Sequence, residues 1–402
     1  MLRVLFPRFF HRYESSRSGA ELAAFARWLH ATGYFHAVMR RHVYRLRRVF
    51  EASVALQCGQ TLNEAELRKA FALVPCSQRH ASTERVYRRF LKVEGRLEES
   101  TPTDQVGLLR LRYRQYLQDV RGLAPATIAQ HLETIDAFLA SSLGSTGHLS
   151  TLTSEHVEIF VQATSRQVRR QTLQHKVARL RAFLRYCADR GETSRGLDHI
   201  DSPRIYRGEL PPRALGWDLI EKLLASVDRS DNLGRRDHAI LHLMAYYGLR
   251  ASEVASLTLD AVNWKTGTLR VDQRKTRSTL VLPLADQTLR ILDQYLVNRR
   301  PCDEATTVLF PTARSPIAAL TNWGVCDVFT KRARESGLPL EGVSSYALRH
   351  SFAMRLLRQG VGVKTIGDLL GHHSLESTCV YLRIETDMLR TVALAVPGGA
   401  AR

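Results

Sequence analysis

The stretch from Ser344 to Leu382, near the end of the chain, constrains the fold more than any other part of the sequence. It contains an Arg-His pair at Arg349 and His350, a Leu-Leu-Gly-His turn that ends at His372, and a tyrosine nine residues later at Tyr381. Each of these residue types is common and has an ordinary structural explanation when it stands alone. Their order and spacing together have no such explanation, so we expect folding to gather them at one site.

Length and charge indicate a multi-domain protein with an acidic partner. At 402 residues the chain exceeds the usual size of one domain, so two or three domains are expected. Lys and Arg number 58 against 39 acidic residues, a formal net charge of +19. A surface that lies along phosphates needs such an excess, and DNA, RNA and an anionic membrane are all compatible with it. The membrane is disfavoured because no apolar run reaches the ~18 to 20 residues of a span and the arginine-rich start does not fit a secretory signal.

The cysteines indicate neither a zinc site nor a disulfide framework. They are scattered and show no C-x-x-C spacing, which fits a reducing cytoplasm. We expect all of them to be structural and buried: Cys58, Cys76, Cys187, Cys302, Cys326 and Cys379.

Residues 1–100 are predicted to be helical. Apolar residues recur at helical spacing from Glu21 to Ser53, and Gly33 is expected to end one helix and start a turn. Six positions align with a later segment at a constant offset of 89, namely Leu22, Trp28, Gly33, His42, Leu46 and Phe50 with Leu111, Leu117, Gly122, His131, Ile135 and Leu139. An internal duplication of a helix-turn-helix-like unit explains this offset. The alternative is a chance alignment of two amphipathic helices joined by a glycine turn.

Residues 104–195 are predicted to form a second helical region that binds DNA. Pro125 lies in a turn, and Ala126 to Leu139 run amphipathically after it. A later helix is studded with basic residues, which form either a solvated face or a DNA-binding face. Because nearly all the charges have one sign, their repulsion favours a polyanion. The predicted DNA-binding residues here are Arg169, Arg170, Lys176 and Arg179.

The periodicity breaks from Arg195 to Trp217. This stretch contains three prolines and Gly208, so residues 196–213 are predicted to be a linker. A flexible basic connector would let two domains close around a duplex that neither could encircle alone.

A second motif lies around Arg250, in the sequence Gly-Leu-Arg-x-Ser-Glu. We expect a buried helix from Asp237 to Tyr247, a glycine turn at Gly248 and another helix that starts near Ser252. Arg250 occupies the turn and Glu253 follows three residues later. A surface salt bridge between these two side chains is the alternative explanation of the pair.

A hairpin is predicted further along the chain. Thr268 to Val271 and Thr279 to Leu282 alternate as two short strands. The polar turn between them contains Lys275, flanked by Arg274 and Arg277. An ordinary solvated turn lysine is the alternative for Lys275.

Together these motifs resemble the tyrosine recombinase (phage integrase) family, whose members cut and rejoin DNA through a phosphotyrosine link. The resemblance implies a mainly α, multi-domain protein. Its parts would be a helical N-terminal extension at 1–100, a helical core-binding (SAM-like) domain at 104–195, an α+β catalytic domain with a small antiparallel sheet at 214–395 and a flexible tail at 396–402. The implied function is a site-specific DNA recombinase or integrase of a mobile element, which forms a covalent 3′-phosphotyrosyl intermediate without metal or ATP.

The resemblance also assigns roles to residues. Tyr381 would be the nucleophile, Lys275 would protonate the leaving 5′ oxygen, and the scissile phosphate would be bound by Arg250, Arg349 and His372. Supporting residues would be Glu253, Tyr346 and His350, and Arg274 and Arg277 would contact DNA. The chemistry needs these types, because breaking a phosphodiester requires a nucleophile, a clamp for the growing charge and a proton for the leaving group. An arginine provides a planar fork that stays charged at any working pH.

One departure from the family pattern keeps other functions open. Tyr346 stands three residues before Arg349, where the family usually has histidine. A tyrosine can hydrogen-bond a phosphate but cannot act as a near-neutral acid or base. A catalytically impaired DNA-binding accessory subunit is therefore one alternative. A type IB topoisomerase-like relaxing enzyme, which uses the same chemistry, is the other. Tyr346 also competes as the nucleophile, and Tyr381 is preferred only for its spacing from His372.

The implied partners are double-stranded DNA at specific sites, further copies of the chain as dimers and tetramers on that DNA, and other recombinase subunits. No membrane, metal or cofactor is implied, and the expected location is the cytoplasm, at the nucleoid. Residues 1–100 would serve either as an oligomerisation arm or as an extra DNA-binding domain. A helix expected within 385–395 would either pass to a neighbouring protomer or pack on its own domain.

Overall fold

The computed structural model defines most of the chain. It describes residues 1–53, 56–74, 77–98, 104–143, 148–202, 204, 214–273, 278–299, 307–313, 316–372, 374 and 376–379. The chain divides into two compact units, one of residues 1–60, 67–96 and 210–402 and the other of residues 61–66 and 97–209. Within the first unit, the Ile317 amide donates to the Gly33 carbonyl at 3.3 Å.

The described residues before 96 form six helices. They are α1 Leu2–Leu5, α2 His11–Glu14, α3 Gly19–Ala31, α4 His36–Ala52, α5 Glu64–Ala72 and α6 Ser77–Val93. The predicted turn between α3 and α4 is confirmed, because Gly33 adopts φ +76°, a backbone conformation that favours glycine. A buried carboxylate closes this bundle: Glu21 accepts hydrogen bonds from the Tyr87 hydroxyl at 2.7 Å and from two nitrogens of Arg96 at 3.0 and 3.1 Å.

The second unit contains four long helices. They are α7 Gln105–Gln115, which continues into a π-helical turn Tyr116–Val120, α8 Pro125–Ser142, α9 Ser154–Ser165 and α10 Arg170–Ala188. Pro125 takes the first helical position of α8, where its missing N–H costs nothing. A pair of two-residue parallel strands, β1 Leu62–Asn63 and β2 Leu97–Glu98, was not predicted. Their length explains this, because two residues leave no alternation to read.

The C-terminal part of the chain is α+β. Its helices are α11 Trp217–Ser226, α12 Asn232–Tyr246, α13 Ala251–Ser256, α14 Asp286–Arg299, α15 Asn322–Glu335, α16 Tyr346–Arg358, α17 Val363–Leu370 and α18 Glu376–Cys379. Its strands are β3 Val262–Asn263, β4 Thr268–Gln273 and β5 Ser278–Pro283, and they form one antiparallel sheet in the order β3-β4-β5. The predicted class, mainly α with a small antiparallel sheet, is confirmed.

Local differences from the prediction have simple causes. Helix α12 begins at Asn232, five residues before the predicted Asp237, because the Asp231 side chain accepts the Gly234 N–H at 2.6 Å and caps the helix there. The expectation that every cysteine is buried is wrong for Cys58, whose thiol is exposed and donates to the Arg17 carbonyl. Cys187 is buried, Cys326 and Cys379 are half-buried, and Cys76 and Cys302 lie outside the described residues. No described helix combines the length and apolar composition of a membrane span.

Candidate active site

The turn that carries Arg250 is held in place by a glycine. Gly248 ends helix α12 with φ +62°, and a Cβ there would lie 2.5 Å from a ring carbon of Phe352 and 2.9 Å from a methyl of Leu370. Only glycine therefore lets this turn pack against α16 and α17. Arg250 follows as the N-cap residue of α13, with its side chain at the edge of the same turn.

Glu253 is the anionic centre of the site. Its carboxylate is 3% exposed and accepts the Arg250 backbone N–H at 2.8 Å and the Arg250 guanidinium at 2.5 Å. The second arginine also faces it, with Arg349 Nη1 3.9 Å from Glu253 Oε2. The alternative of a surface salt bridge is wrong, because this is a buried carboxylate shared by two guanidinium groups.

Arg349 hydrogen-bonds to both of the turns that precede the other site residues. It is 2% exposed, and it donates from Nη1 to the Gly248 carbonyl at 2.7 Å and from Nη2 to the Leu370 carbonyl at 2.5 Å. Those carbonyls lie two residues before Arg250 and two residues before His372. Arg349 therefore fixes Arg250 and His372 relative to each other. Direct donation from these two N–H groups to a phosphate would require one of the carbonyl bonds to open.

His372 follows the left-handed cap of α17 and is neutral at physiological pH. Its Nδ1 lies 2.8 Å from the Thr378 hydroxyl, which orients the ring. Burial, together with the positive charges of Arg349 and Arg250, lowers the pKa of His372 to about 4. Arg250, Arg349 and His372 are thus brought together as predicted.

The two supporting residues of α16 stack on each other. The rings of Tyr346 and His350 meet edge to face, with centroids 4.6 Å apart. Tyr346 is 45% exposed at the start of the helix, whereas burial and the neighbouring Arg349 lower the pKa of His350 to about 4. His350 is therefore a neutral imidazole beside the Tyr346 phenol.

The strand ends of the predicted hairpin lie against the His372 turn. Gly371 adopts φ +60°, and a Cβ at this position would overlap the side-chain amide of Gln273, the last residue of β4. Ser278, the first residue of β5, donates to the same amide at 3.2 Å. Residues 274–277 connect the two strands in sequence, and the predicted residues Arg274, Lys275 and Arg277 lie among them outside the described residues, as does Tyr381.

The basic residues predicted on the second unit divide into two groups. Arg169 and Arg170 are exposed at the start of α10, and Lys176 and Arg179 are half-buried further along it. Arg179 donates to the side chain of Gln130 on α8, which places it at the seam of the two helices.

Other arginines of α10 have structural roles. Arg181 donates to the Ile200 carbonyl, and Arg185 contacts the Asp198 carboxylate at 3.2 Å. Some of the basic residues of this helix therefore form contacts within their own unit.

Sequence reasoning missed the residues that position the site. Thr378 orients His372, and Gln273 packs on Gly371. Neither carries charge, and neither belongs to a motif with a chemical role, so nothing in the sequence distinguishes them from other polar residues. Among the described residues, no cluster of three or more His, Cys, Asp or Glu side chains could hold a metal ion.

Comparisons of the sequence converge on one family. The profile described as "Phage integrase family" matches residues 214–388, and the one described as "Phage integrase, N-terminal SAM-like domain" matches residues 111–191. The putative integrase/recombinase y4rA of Sinorhizobium fredii is 32% identical over 293 residues, which cover 72% of this chain and 70% of that protein. The putative integrase/recombinase y4rF of the same organism is 29% identical over 409 residues, covering 97% of this chain and 94% of that protein.

The fold is also similar to that of a solved recombinase complex. The XerH site-specific recombinase bound to a palindromic difH substrate, in a post-cleavage complex, superposes with a TM-score of 0.57 at 18% identity. The match covers 76% of this chain and 93% of that one. At this identity the likeness concerns the fold.

Proposed function

Since the chain belongs to the phage integrase family of tyrosine recombinases, we propose that it is a site-specific DNA recombinase that cleaves and rejoins strands through a covalent 3′-phosphotyrosyl intermediate. It requires neither metal nor ATP, and it recombines the DNA of a mobile element. Tyr381 is the nucleophile, and Arg250, Arg349, His372 and Lys275 act on the phosphate and the leaving group.

The charge of the described site is the observation that carries this proposal. Two guanidinium groups, Arg250 and Arg349, share the single carboxylate of Glu253, and the neighbouring His372 is neutral. One positive charge is left over in a largely buried place, where an uncompensated charge is costly. One phosphodiester group carries one negative charge and would neutralise it.

The transition state needs one more positive charge than the bound substrate does. As the Tyr381 oxygen attacks phosphorus and its proton passes to solvent, the non-bridging oxygens gain negative charge, and preorganised donors stabilise the transition state more strongly than the ground state. Lys275 supplies the additional charge and gives its proton to the 5′ oxygen as the bond from phosphorus to that oxygen breaks. The position of Gln273 against Gly371, with Ser278 bonded to it, supports this role, because Lys275 lies between these two residues in the sequence.

His372 contributes a hydrogen bond and no charge. A neutral imidazole has one N–H, and the Thr378 hydroxyl beside Nδ1 decides which nitrogen carries it. With the hydroxyl donating to Nδ1, the proton resides on Nε2 and is free to point at a phosphate oxygen. Tyr346 adds a second neutral donor at the exposed start of α16.

A nicked suicide substrate tests the proposal. The short strand diffuses away after cleavage, so the covalent protein-DNA adduct accumulates and is counted on a denaturing gel. We expect an adduct with the unaltered chain in the presence of a chelator and without ATP, and none with Tyr381→Phe. Tyr346→Phe is the matched control and should still form it. An adduct that survives in Tyr381→Phe and disappears in Tyr346→Phe would transfer the nucleophile to Tyr346.

The same substrate separates the alternatives. A catalytically impaired accessory subunit, favoured only by Tyr346, would shift DNA on a native gel and form no adduct. A type IB topoisomerase-like enzyme would form the adduct and relax supercoiled plasmids, but would not exchange strands between two sites. Recombination of a two-site plasmid therefore selects the recombinase.

The organisation of the chain follows the same proposal. The core-binding domain at 104–195 and the catalytic domain at 214–395, joined by the linker 196–213, would bind double-stranded DNA as a dimer on each site and as a tetramer in the synapse. The matches at 111–191 and 214–388 support these two domains. Other recombinase subunits would be further partners, and the chain would act at the nucleoid in the cytoplasm.

A further inference from the structure

The four long helices of the N-terminal part repeat the four helices of the second unit. Helices α3, α4, α5 and α6 have 13, 17, 9 and 17 residues, and α7, α8, α9 and α10 have 11, 18, 12 and 19. In both sets the turn between the first two helices contains a glycine with positive φ, at Gly33 and Gly122. In both sets the first helix packs on the second and the second on the fourth.

The buried positions of the second helices coincide at a constant offset of 89. On α4 they are Met39, Val43, Leu46, Val49 and Phe50, and on α8 they are Ile128, Leu132, Ile135, Phe138 and Leu139. His42 and His131 occupy the same position of this pattern. The third helices agree at an offset of 90, with buried Leu67 and Ala70 opposite Val157 and Phe160. Chance amphipathicity does not predict agreement that continues into a third helix.

An aromatic cluster between the first and fourth helices recurs with the same geometry. Phe25 stacks on Trp28 with centroids 6.2 Å apart, and Tyr113 stacks on Tyr116 at 6.2 Å. The first ring of each pair meets a phenylalanine of the fourth helix edge to face, Phe25 with Phe90 at 5.4 Å and Tyr113 with Phe183 at 5.2 Å. The core of one set is therefore built like the core of the other.

A π-helical turn corrects the alignment made from the sequence. The aromatic pairs correspond at an offset of 88, whereas the glycines that follow them correspond at 89. The turn Tyr116–Val120 lies between them and accommodates one extra residue, as π-helical turns do. Leu29 is consequently the counterpart of Leu117, and Trp28 is the counterpart of Tyr116.

Most of the chain's net charge lies in residues 1–96, which include the first of the two repeats. Residues 1–96 contain 18 Lys and Arg against 7 Asp and Glu, a net charge of +11. Residues 97–209 contain 15 against 13, a net charge of +2. The first repeat is therefore the more basic copy of a fold whose second copy matches an integrase domain.

Part of the excess forms one surface, which we name the arginine face: Arg41, Arg45, Arg48, Arg85 and Arg89. Arg41, Arg45 and Arg48 follow one another by four and three residues on α4, so they share a side of that helix. Arg85 and Arg89 share a side of α6 with Ser82 in the same way. The Arg45 guanidinium donates to the Ser82 hydroxyl at 3.2 Å, so the two stripes adjoin.

The acidic residues of these two helices pair mainly with arginines outside the face. Glu84 pairs with Arg88 at 2.7 Å, and Glu51 lies 3.1 Å from Arg47 and 3.5 Å from Arg48. Arg41 and Arg85 are exposed.

We propose that residues 19–95 are a second copy of the core-binding fold and that the arginine face binds the phosphate backbone of double-stranded DNA. The equivalent helices of the second unit, α8 and α10, meet at the contact between Gln130 and Arg179, beside the basic residues predicted to bind DNA. One chain then carries two domains of the same type along the duplex. The inference shares the DNA partner of the proposed function but none of its cleavage chemistry.

Salt-dependent binding to a long random-sequence duplex tests the arginine face in the full chain. Each phosphate contact contributes about 0.9 to the slope of log affinity against log salt concentration. We therefore expect Arg41→Gln, Arg48→Gln and Arg85→Gln together to reduce the magnitude of the slope by about 2.7, measured by fluorescence anisotropy between ~50 and ~200 mM KCl. Replacing the same three residues by lysine keeps the charges and should keep the slope.

The matched control removes three charges from other helices and loops of residues 1–96. Arg8, Arg12 and Arg27 are exposed and lie off α4 and α6. Their combined glutamine variant should change the slope by less than about 1. An equal loss in both triple variants would mean that net charge alone matters, and an unchanged slope in the first would also overturn the proposal.

Two further measurements keep the outcome unambiguous. Helical circular dichroism checks that each triple variant is folded, and if the glutamine triple is not, the three single variants are compared, each losing about 0.9. The Tyr381→Phe chain should bind the duplex with the unaltered slope. A chain that bound no DNA at all would contradict the proposed function as well, whereas normal binding with an indifferent arginine face would contradict this inference alone.

Discussion

Replacing Glu253 by glutamine should destabilise the catalytic region strongly, because it removes the carboxylate that two buried arginines share. Glu253 is 3% exposed, and it receives the Arg250 guanidinium at 2.5 Å with Arg349 at 3.9 Å. Removing one partner of a buried ion pair costs about 3 to 5 kcal/mol, since the remaining charge stays buried. Part of the Arg250 side chain reaches solvent, so we expect the lower end, about 3 kcal/mol.

Glu335→Gln is the matched control. Glu335 also faces two basic side chains, with Arg332 at 2.9 Å and Lys331 at 3.8 Å, but it is 45% exposed. Exposed pairs of this kind contribute less than about 1 kcal/mol.

Urea unfolding followed by tryptophan fluorescence measures both variants. Three of the four tryptophans, Trp217, Trp264 and Trp323, lie in residues 214–395 and report on that region. A loss below about 1 kcal/mol in Glu253→Gln, equal to that of the control, would refute the reasoning.

An anion should rescue the Glu253 variant selectively. Sulfate that occupies the phosphate position stabilises the folded chain in proportion to the logarithm of its concentration over its dissociation constant. In Glu253→Gln that anion meets two uncompensated guanidinium groups, where the unaltered chain presents one excess charge. Sulfate should therefore raise the urea midpoint of Glu253→Gln more than that of the unaltered chain. Equal shifts in both would contradict an anion site at these arginines.

Three further predictions concern the residues around the site and the buried histidines. Thr378→Val should slow adduct formation about 10²-fold because His372 loses its orienting hydroxyl, whereas Thr378→Ser should not, as single-turnover rates on the suicide substrate would show. Gly371→Ala should cost at least about 3 kcal/mol in urea unfolding, and Gly360→Ala, also at positive φ but with open space around it, only about 1. Burial lowers the pKa of five histidines to about 4: His42, His238, His242, His350 and His372. The unfolded state therefore takes up protons first as the pH falls from about 6.5 to 4, and unfolding free energy should drop over that window by up to about 1.4 kcal/mol per pH unit for each histidine, with a shallower fall in His42→Gln.

The helices could be predicted from the sequence because burial leaves a periodic pattern. The turn at Gly33 and the start of α8 at Pro125 both followed from residues whose backbone preferences are strong. The beginning of α12 did not, because capping by Asp231 overrides the apolar pattern that starts at Asp237. Strands of two residues, β1 to β3, carry no pattern to detect.

The chemically active residues of the site could be predicted from the sequence, but the contacts that position them could not. The sequence predicted Arg250, Arg349 and His372, because each belongs to a motif whose order and spacing resemble those of a known family. The structure brings the three side chains together. The sequence did not predict that Arg349 would point both terminal nitrogens at backbone carbonyls. That arrangement depends on two turns that meet only in the folded chain, and no local pattern records such a meeting.

The internal repeat could be predicted only in part from a constant offset between aligned residues. Six aligned positions suggested a duplication, but a single offset could not be right across Tyr116–Val120, since the π-helical turn adds a residue there. The side chains that establish the repeat are buried aromatics whose pairings are three-dimensional, such as Phe25 with Phe90 and Tyr113 with Phe183. The two copies differ in net charge but share the arrangement of their core. The net charge is +11 on residues 1–96 and +2 on residues 97–209. Because packing tolerates few changes in the core and surface charge is nearly free to vary, the same fold can supply strong electrostatic attachment in one copy and leave the other to position the duplex.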